Sequence, residues 1–321
     1  MSTLQPIRLI HLPTGIEIPL HEAQSCVVAM GNFDGVHTAH RMLLAAAIRL
    51  SGQKKDSHNA VFLFDPPTSQ VLYPGTRQLS TLQEKLSIFR QCGIEYAYLA
   101  DFSALRDMPA DQFIQDVLLQ ICLADMVVCG FNFRFGQGGR GDVALLKQHL
   151  GEQHVCMIPP CCMPVDNQSV RQVISSTAIR NALSCGDVRN ATLLLGRPYR
   201  FSAPVLHGKK LGRKIGIPTI NQNPPIGKVL PANGVYITRV TIGDEKVFGV
   251  SNVGVHPTVD NNAERNCETH LLNFDRDIYG QTVTIEFLEQ LRPEQKFNSV
   301  EELQKTILND IQKAKDYLNI K

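Results

Sequence analysis

CVVAMGNFDGVHTAH, residues 26–40, carries the decision about the fold. Its first part, Cys26-Val27-Val28-Ala29-Met30 with Gly31, reads as a buried strand. Asp34-Gly35 is a turn signal. RMLLAAAIRL (41–50) follows, rich in Ala and Leu, and predicts a helix. Two histidines, His37 and His40, therefore stand three apart where a strand gives way to a helix. In open α/β sheets, ligands bind at the carboxyl ends of the strands. A helix starting near His37–His40 aims unpaired N–H groups and a positive dipole end at the same spot. Imidazoles there can donate hydrogen bonds to phosphate oxygens. Nucleotidyl transfer needs such charge stabilisation more than covalent help. Two other readings of His-x-x-His stand beside this one: a metal pair, for which no third ligand suggests itself nearby, and two surface histidines on a first helical turn.

Working outward, the pattern of strands alternating with helices continues. AVFLF (60–64) ends at Asp65-Pro66-Pro67, where proline stops a strand. LSTLQEKLSIFRQCG (79–93) has a cap at Ser80 or Thr81 and a Gly93 stop, which predicts a helix. EYAYLADF (95–102) and MVVCG (126–130) read as strands, the second running into a glycine-rich loop. This alternation predicts a parallel sheet with helices on both faces.

The character changes after about residue 186. DVRNATLLLGRPYR (187–200) predicts a last helix with a Gly196 stop. Beyond Phe201 come short β-rich runs, APVLH, GVYITRV, KVFGVSNVGV and TVTIEFL, separated by turn residues such as Gly243-Asp244 and Asp260-Asn261-Asn262. They predict an antiparallel barrel or sandwich. The chain closes with one helix, begun by the capping-box candidate Ser299-Val300-Glu301-Glu302 and carrying Leu303, Ile307, Ile311 and Ala314 at helical spacing.

Bulk properties narrow the function classes. A length of 321 residues favours two domains. A net charge of +2 is too mild for a nucleic-acid groove or a membrane surface. No apolar run approaches a membrane span, and the first residues lack a signal-peptide pattern. Nine cysteines, scattered and without a C-x-x-C pair, suit a reduced, cytoplasmic protein rather than a disulfide framework or zinc site.

GKKLGRKIGIPTIN (208–221) is the second informative stretch. Gly208, Gly212 and Gly216 recur with cations between them, Arg213 among these. The string lacks the G-K-[ST] ending of a Walker A loop. It suits a flexible flap that wraps phosphates, although glycine-rich turns would show the same spacing. Thr219 and Asn221 lie two apart on an extended segment, so their oxygens share a side. Hard oxygen ligands suit Mg²⁺ that also holds ATP phosphates, although Pro-Thr-x-Asn can equally be a simple turn.

GNFDGVHTAH resembles the H-x-G-H nucleotidyltransferase signature of bacterial bifunctional riboflavin kinase/FAD synthetases. The resemblance extends over nearly the whole chain, through FDPPTSQVL (64–72), LSTLQEKLSIFRQCGIEYAYL (79–99), GFNFRFGQGGRGD (130–142), SSTAIRNAL (175–183) and GDVRNATLLLGRPY (186–199). In the second half, G-x-P-T-x-N at 216–221 resembles the riboflavin kinase signature, followed by KVLPANGVYITRV (228–240), ETHLLNFDRDIYG (268–280) and LRPEQKFNS (291–299). Two departures stand out: Ala39 replaces the glycine between the histidines, and FDPPT lacks the histidine of an F-D-P-H-P form.

What the resemblance implies is specific. The fold would be an α/β nucleotidyltransferase-like, Rossmann-like domain (1–186), then an antiparallel β-barrel flavokinase domain with a C-terminal helix (187–321). The first would transfer AMP from ATP to FMN, giving FAD and pyrophosphate. His37 and His40 would contact the ATP phosphates, Asn132 would lie by the substrates, Ser176 and Thr177 would contact phosphate from a helix start, and Arg180 would follow one turn along. The second would phosphorylate riboflavin, with Glu268 as catalytic base, Mg²⁺ held through Thr219 and Asn221, and Arg292 near the flavin. Partners would be riboflavin, FMN and ATP, with no nucleic acid and no membrane. Two rival readings are a riboflavin kinase whose first domain has lost its chemistry through Ala39, and a flavin-sensing regulatory protein. The sequence carries no signal of oligomeric state.

Overall fold

The apolar run at residues 26–30 is the centre of a six-stranded parallel sheet. The computed structural model describes residues 7–12, 25–164, 171–208, 212, 216–256 and 264–320. Its strands are β1 (Arg8–His11), β2 (Ser25–Met30), β3 (Ser57–Phe64), β4 (Tyr96–Ala100), β5 (Ala124–Gly130) and β6 (Val155–Ile158), in the order β1-β4-β3-β2-β5-β6. The helices are α1 (Thr38–Ser51), α2 (Thr68–Leu72), α3 (Leu82–Cys92), α4 (Phe102–Leu105), α5 (Ala110–Gln112) and α6 (Val143–Leu150), with α5 running into a π-helical stretch at Phe113–Ile121. Cys26, Val27, Val28 and Ala29 are fully buried because helices cover both faces. Val27, Ala29, Val61 and Leu63 pack with Leu44 of α1 and Phe89 of α3. Val28, Phe62 and Tyr98 pack with Ile114, Leu118 and Leu146 on the other face. Each buried leucine contributes roughly 1.5–3 kcal/mol of hydrophobic stabilisation.

From β2 the chain builds outward through β3 and β4, then returns to the opposite side of β2 as β5 and β6. The order thus reverses between β2 and β5, and the loops after Met30 and Gly130 leave neighbouring strand ends. EYAYLADF is shorter as a strand than expected, because Asp101 accepts a hydrogen bond from the Ser103 N–H (2.8 Å) and starts α4. A two-stranded hairpin, β7 (Cys162–Pro164) with β8 (Arg171–Val173), follows β6.

The described residues group into two compact units, 1–175 and 176–321. The expected boundary at 186/187 lies inside the second unit, where α7 (Ser176–Ser184) and α8 (Val188–Leu195) are joined by the Gly186-Asp187 turn, and the Ala232 N–H donates to the Leu183 carbonyl. Its strands are β9 (Tyr199–Pro204), β10 (Ile220–Gln222), β11 (Gly234–Ile242), β12 (Glu245–His256), β13 (Glu264–Leu271) and β14 (Thr282–Pro293), in the antiparallel order β10-β13-β12-β11-β14-β9. Gly243-Asp244 forms the two-residue hairpin between β11 and β12. The expected turn at 260–262 lies outside the described residues. The sheet curls until its two edges meet. The Leu206 N–H donates to the Asn221 carbonyl (2.8 Å), and the Gln222 amide donates to the carbonyls of Ala203 (2.6 Å) and Val283 (3.1 Å). A C-terminal helix, α9 (Val300–Leu318), capped by Ser299, lays Ile311, Ala314 and Leu318 on Val235, Ile237 and Val250.

Candidate active sites

The first candidate site lies where the sheet order reverses. His37 is the N-cap of α1: its Nδ1 accepts the His40 N–H at 3.2 Å, and the two rings stack with centroids 3.6 Å apart. Both imidazoles are thereby fixed at a helix N-terminus, where backbone N–H groups and the helix dipole favour an anion. The loop before them has an unusual backbone. Phe33 (φ 48) and Val36 (φ 39) occupy the left-handed region, and both side chains are fully buried. Such conformations cost about 1–3 kcal/mol each, and the burial of two apolar side chains offsets them. Gly35, at φ 82, turns the chain between them.

Two groups hold this loop from behind. The Asp34 carboxylate accepts from the N–H groups of Leu79 (2.9 Å) and Ser80 (3.1 Å), just ahead of the Thr81–Glu84 capping box of α3. The Lys85 ammonium, buried within the protein, donates to the Asn32 carbonyl at 3.0 Å. Burial pulls Lys85 below the ordinary lysine range, against the opposing pull of Asp34 and Asp65. The neighbouring loop carries Asn132, exposed, after β5. That loop is closed by paired hydrogen bonds between Phe135 and Gly141 (3.1 and 2.9 Å), and a side chain on Gly141 would meet the Phe135 ring at 2.7 Å. Asp142 caps α6, and the Leu145 N–H, with Arg134 alongside, holds its carboxyl below the usual carboxylate range. Ala39 sits in the first turn of α1 in ordinary helical backbone, so this position makes no conformational demand for glycine.

In the second unit, Ser176 and Thr177 open α7, with Arg180 one turn along. The second candidate site is written in sheet register. Asn221 of β10 lies directly opposite Glu268 of β13. Residues paired this way on antiparallel strands point to the same face with Cβ atoms about 4.5–5.5 Å apart. Thr219 precedes Asn221 by two, and glycines of the preceding loop approach both. A Cβ on Gly208 would fall 2.4 Å from Asn221 Nδ2, and one on Gly212 would fall 3.4 Å from Thr219 Oγ1. Gly216 (φ 75) faces open space. Arg213 lies outside the described residues. A cavity of about 120 Å³ adjoins this corner, lined by Thr219, Ile220, Leu271, Phe274 and Tyr279 among others. Arg292, on β14, is engaged by α9: its Nε and Nη2 donate to the buried Asp310 carboxylate at 2.9 and 2.8 Å.

Comparison with known proteins separates the two units in the same way. Residues 20–177 match the family model described as FAD synthetase, and residues 195–318 the model described as riboflavin kinase. The bifunctional riboflavin kinase/FMN adenylyltransferase of Escherichia coli K12 is 35% identical over 92% of this chain and 94% of its own. That of Bacillus subtilis is 31% identical over 98% of this chain and 99% of its own. The chain belongs to the bifunctional riboflavin kinase/FMN adenylyltransferase family. A crystal structure described as a macrolide-efflux protein from Streptococcus pneumoniae shares the fold, with a TM-score of 0.82, 29% identity and coverage of 95% of this chain and 98% of that one. Among the described residues of this family member, no helix is long and apolar enough to cross a membrane.

The sequence reading missed Asp34 and Lys85. Asp34 looked like half of a turn, and Lys85 was one unremarked residue of a helix. Neither role has a local signal, because each depends on strand ends and a helix that meet only in the folded sheet. Asp310 was missed for the same reason, lying next to the apolar stripe of α9 rather than in it.

Proposed function

We propose a division of labour between the two units for the two activities of this family. The chain phosphorylates riboflavin to FMN with ATP, and adenylylates FMN to FAD with a second ATP, releasing pyrophosphate. The first step falls to the curled sheet. There the ribityl 5′-hydroxyl gives its proton to Glu268 as its oxygen attacks the γ-phosphorus, and ADP leaves. The observation that carries this assignment is the cross-strand pair Asn221–Glu268, with Thr219 beside it.

Thr219 and Asn221 fit Mg²⁺. They offer neutral oxygens, and Gly208 keeps the space beside the Asn221 amide free of a side chain. A protein offering so few ligands leaves most positions on the ion to phosphate oxygens and water, as Mg²⁺ prefers. When bound, the ion offsets the phosphate charge. Gly208, Gly212 and Gly216 lie along the phosphates, and Arg292 lies toward the flavin ring.

The second step falls to the N-terminal part of the chain. His37 and His40, with the N-terminus of α1, stabilise the charge on the triphosphate as the FMN phosphate oxygen attacks the α-phosphorus. Asn132 lies by the substrates, and Ser176, Thr177 and Arg180 contact phosphate. The functional boundary on this reading falls at 186/187, after α7, and the enzyme works in the cytoplasm on small molecules alone.

The test is chromatography of flavins after incubating the full chain with ATP and Mg²⁺. Glu268→Gln should lose riboflavin phosphorylation by about 10²–10⁴-fold and still convert supplied FMN to FAD. His40→Ala should do the reverse. A Glu268→Gln protein that phosphorylates riboflavin at the wild-type rate refutes the base assignment.

A further inference from the structure

The sheet register carries the second site beyond Glu268. Glu268 of β13 lies opposite Asn252 of β12, Asn252 lies opposite Val235 of β11, and Val235 lies opposite Arg292 of β14. With Asn221 of β10 this makes one row across five strands, Asn221–Glu268–Asn252–Val235–Arg292. The register shift next to Val235 keeps Arg292 on this face, where it meets Asp310 of α9. The residues on either side of Asn252 along β12, Ser251 and Val253, point into the buried interior. Asn252 itself is exposed.

Position along the row assigns a task. On the reading proposed above, the phosphoryl-accepting hydroxyl sits at Glu268 and the flavin ring toward Arg292. These ends are three strand steps apart, about 14 Å. Riboflavin joins its ring to its 5′-hydroxyl by a ribityl chain, which carries three secondary hydroxyls. Five carbons reach about one and a half strand steps, so the chain leads from Glu268 past the next strand, and the ring covers the rest of the way. Asn252 is the one polar side chain between the ends, a single strand step from the base. Val235 can offer no hydrogen bond and is covered by α9. The next residue of β12 on this face is Gly254, itself buried. A Cβ there would stand 3.3 Å from Asn252 Nδ2 and 3.4 Å from Glu294 Oε1.

We infer that Asn252 is a substrate-binding residue of the kinase site: its amide hydrogen-bonds the secondary hydroxyls of the ribityl chain and so selects a hydroxylated side chain on the flavin. A side-chain amide both donates and accepts, which matches a hydroxyl that does the same. This inference rests on Glu268 being the base.

The experiment pairs a protein change with a substrate change. Riboflavin is compared with an analogue whose chain is an unsubstituted 5-hydroxypentyl group, in the full-length wild type, in Asn252→Ala and in Asn252→Ser. With riboflavin, Asn252→Ala should raise the KM for flavin about three- to tenfold, the worth of one neutral hydrogen bond, and leave the KM for ATP unchanged. Asn252→Ser, which keeps a hydroxyl, should recover part of the loss. With the analogue, wild type and Asn252→Ala should be equal, because the partner hydroxyls are already gone. An equal loss on both substrates, or no loss on riboflavin, overturns the inference. Glu268→Gln, run alongside and followed by the quenching of riboflavin fluorescence, separates the two levels. If it turns over normally, the base assignment has failed. If it is inactive while Asn252→Ala behaves as wild type, only the inference about Asn252 has failed.

Discussion

Gly208 and Gly216 belong to one glycine-spaced loop and should respond differently to the same methyl group. In Gly208→Ala the new Cβ would lie 2.4 Å from Asn221 Nδ2 and 2.7 Å from its Cγ, so the amide has to move. Riboflavin phosphorylation should fall at least tenfold while adenylyl transfer is unaffected. In Gly216→Ala nothing lies within 4 Å, and the cost is confined to the left-handed backbone, φ 75. That is about 1–2 kcal/mol of stability, read as a small drop in Tm with kinase activity retained. The sequence showed the spacing of these glycines but not which of them press on a functional group. Spacing is a property of the chain, and close approach is a property of the folded edge between β10 and the loop before it. The place of His37 and His40 between a strand and a helix was legible because such a junction is a local pattern. The pairing of Asn221 with Glu268 was not, since their strands are distant in sequence and register is set by the whole sheet.

At the scale of elements, α3 supports the histidine loop through Lys85. Lys85→Met keeps the volume of the stem and removes the ammonium that holds the Asn32 carbonyl. A hydrogen bond from a charged group is worth about 1.5–3 kcal/mol, less here because burial already disfavours the charge. FAD formation from supplied FMN should fall, and FMN formation from riboflavin should not. Lys85 also sets a pH signature. Its folded-state pKa lies below the ordinary 10.5, so between those two values the unfolded chain binds a proton that the folded one does not. Stability from this group therefore rises with pH across that window and is lost as pH falls through the folded value. Urea unfolding over that range should show the slope in the wild type and lose it in Lys85→Met. The buried strands β2, β3, β4 and β5 were legible as apolar runs. The edge strands β1 and β6 were not, because each has one neighbour and is only four residues long, β1 being largely exposed and β6 only partly buried. The π-helical stretch at Phe113–Ile121 has no sequence signal that separates it from an α-helix.

For the whole molecule, the change of pattern after the first sheet divided the sequence correctly into an α/β half and a β half. It did not show that α7 packs with the second. Nine unpaired thiols spread through both units provide a readout of the intact fold. Burial pushes Cys26 up to about 11 and Cys129 and Cys267 up to about 12, and raises Cys122 well above its usual value, whereas Cys162 and Cys185 are exposed. The thiolate is the reactive form. Alkylation with iodoacetamide near neutral pH, followed by mass spectrometry, should therefore mark Cys162 and Cys185 first and leave the four buried thiols unlabelled until unfolding. Rapid labelling of Cys267 in native protein would contradict the closed interior of the curled sheet.

That closure depends on Asn221 in an unexpected way. Its main-chain carbonyl receives the Leu206 N–H that joins the two margins of the sheet, while its side chain lies on the same face as that of Glu268. One residue is thus both seam and ligand-facing surface. Any molecule gripping that amide tightens the seam as well, by mass action on the folded form. On the proposed reading, substrate would work as a clasp on the very wall that receives it.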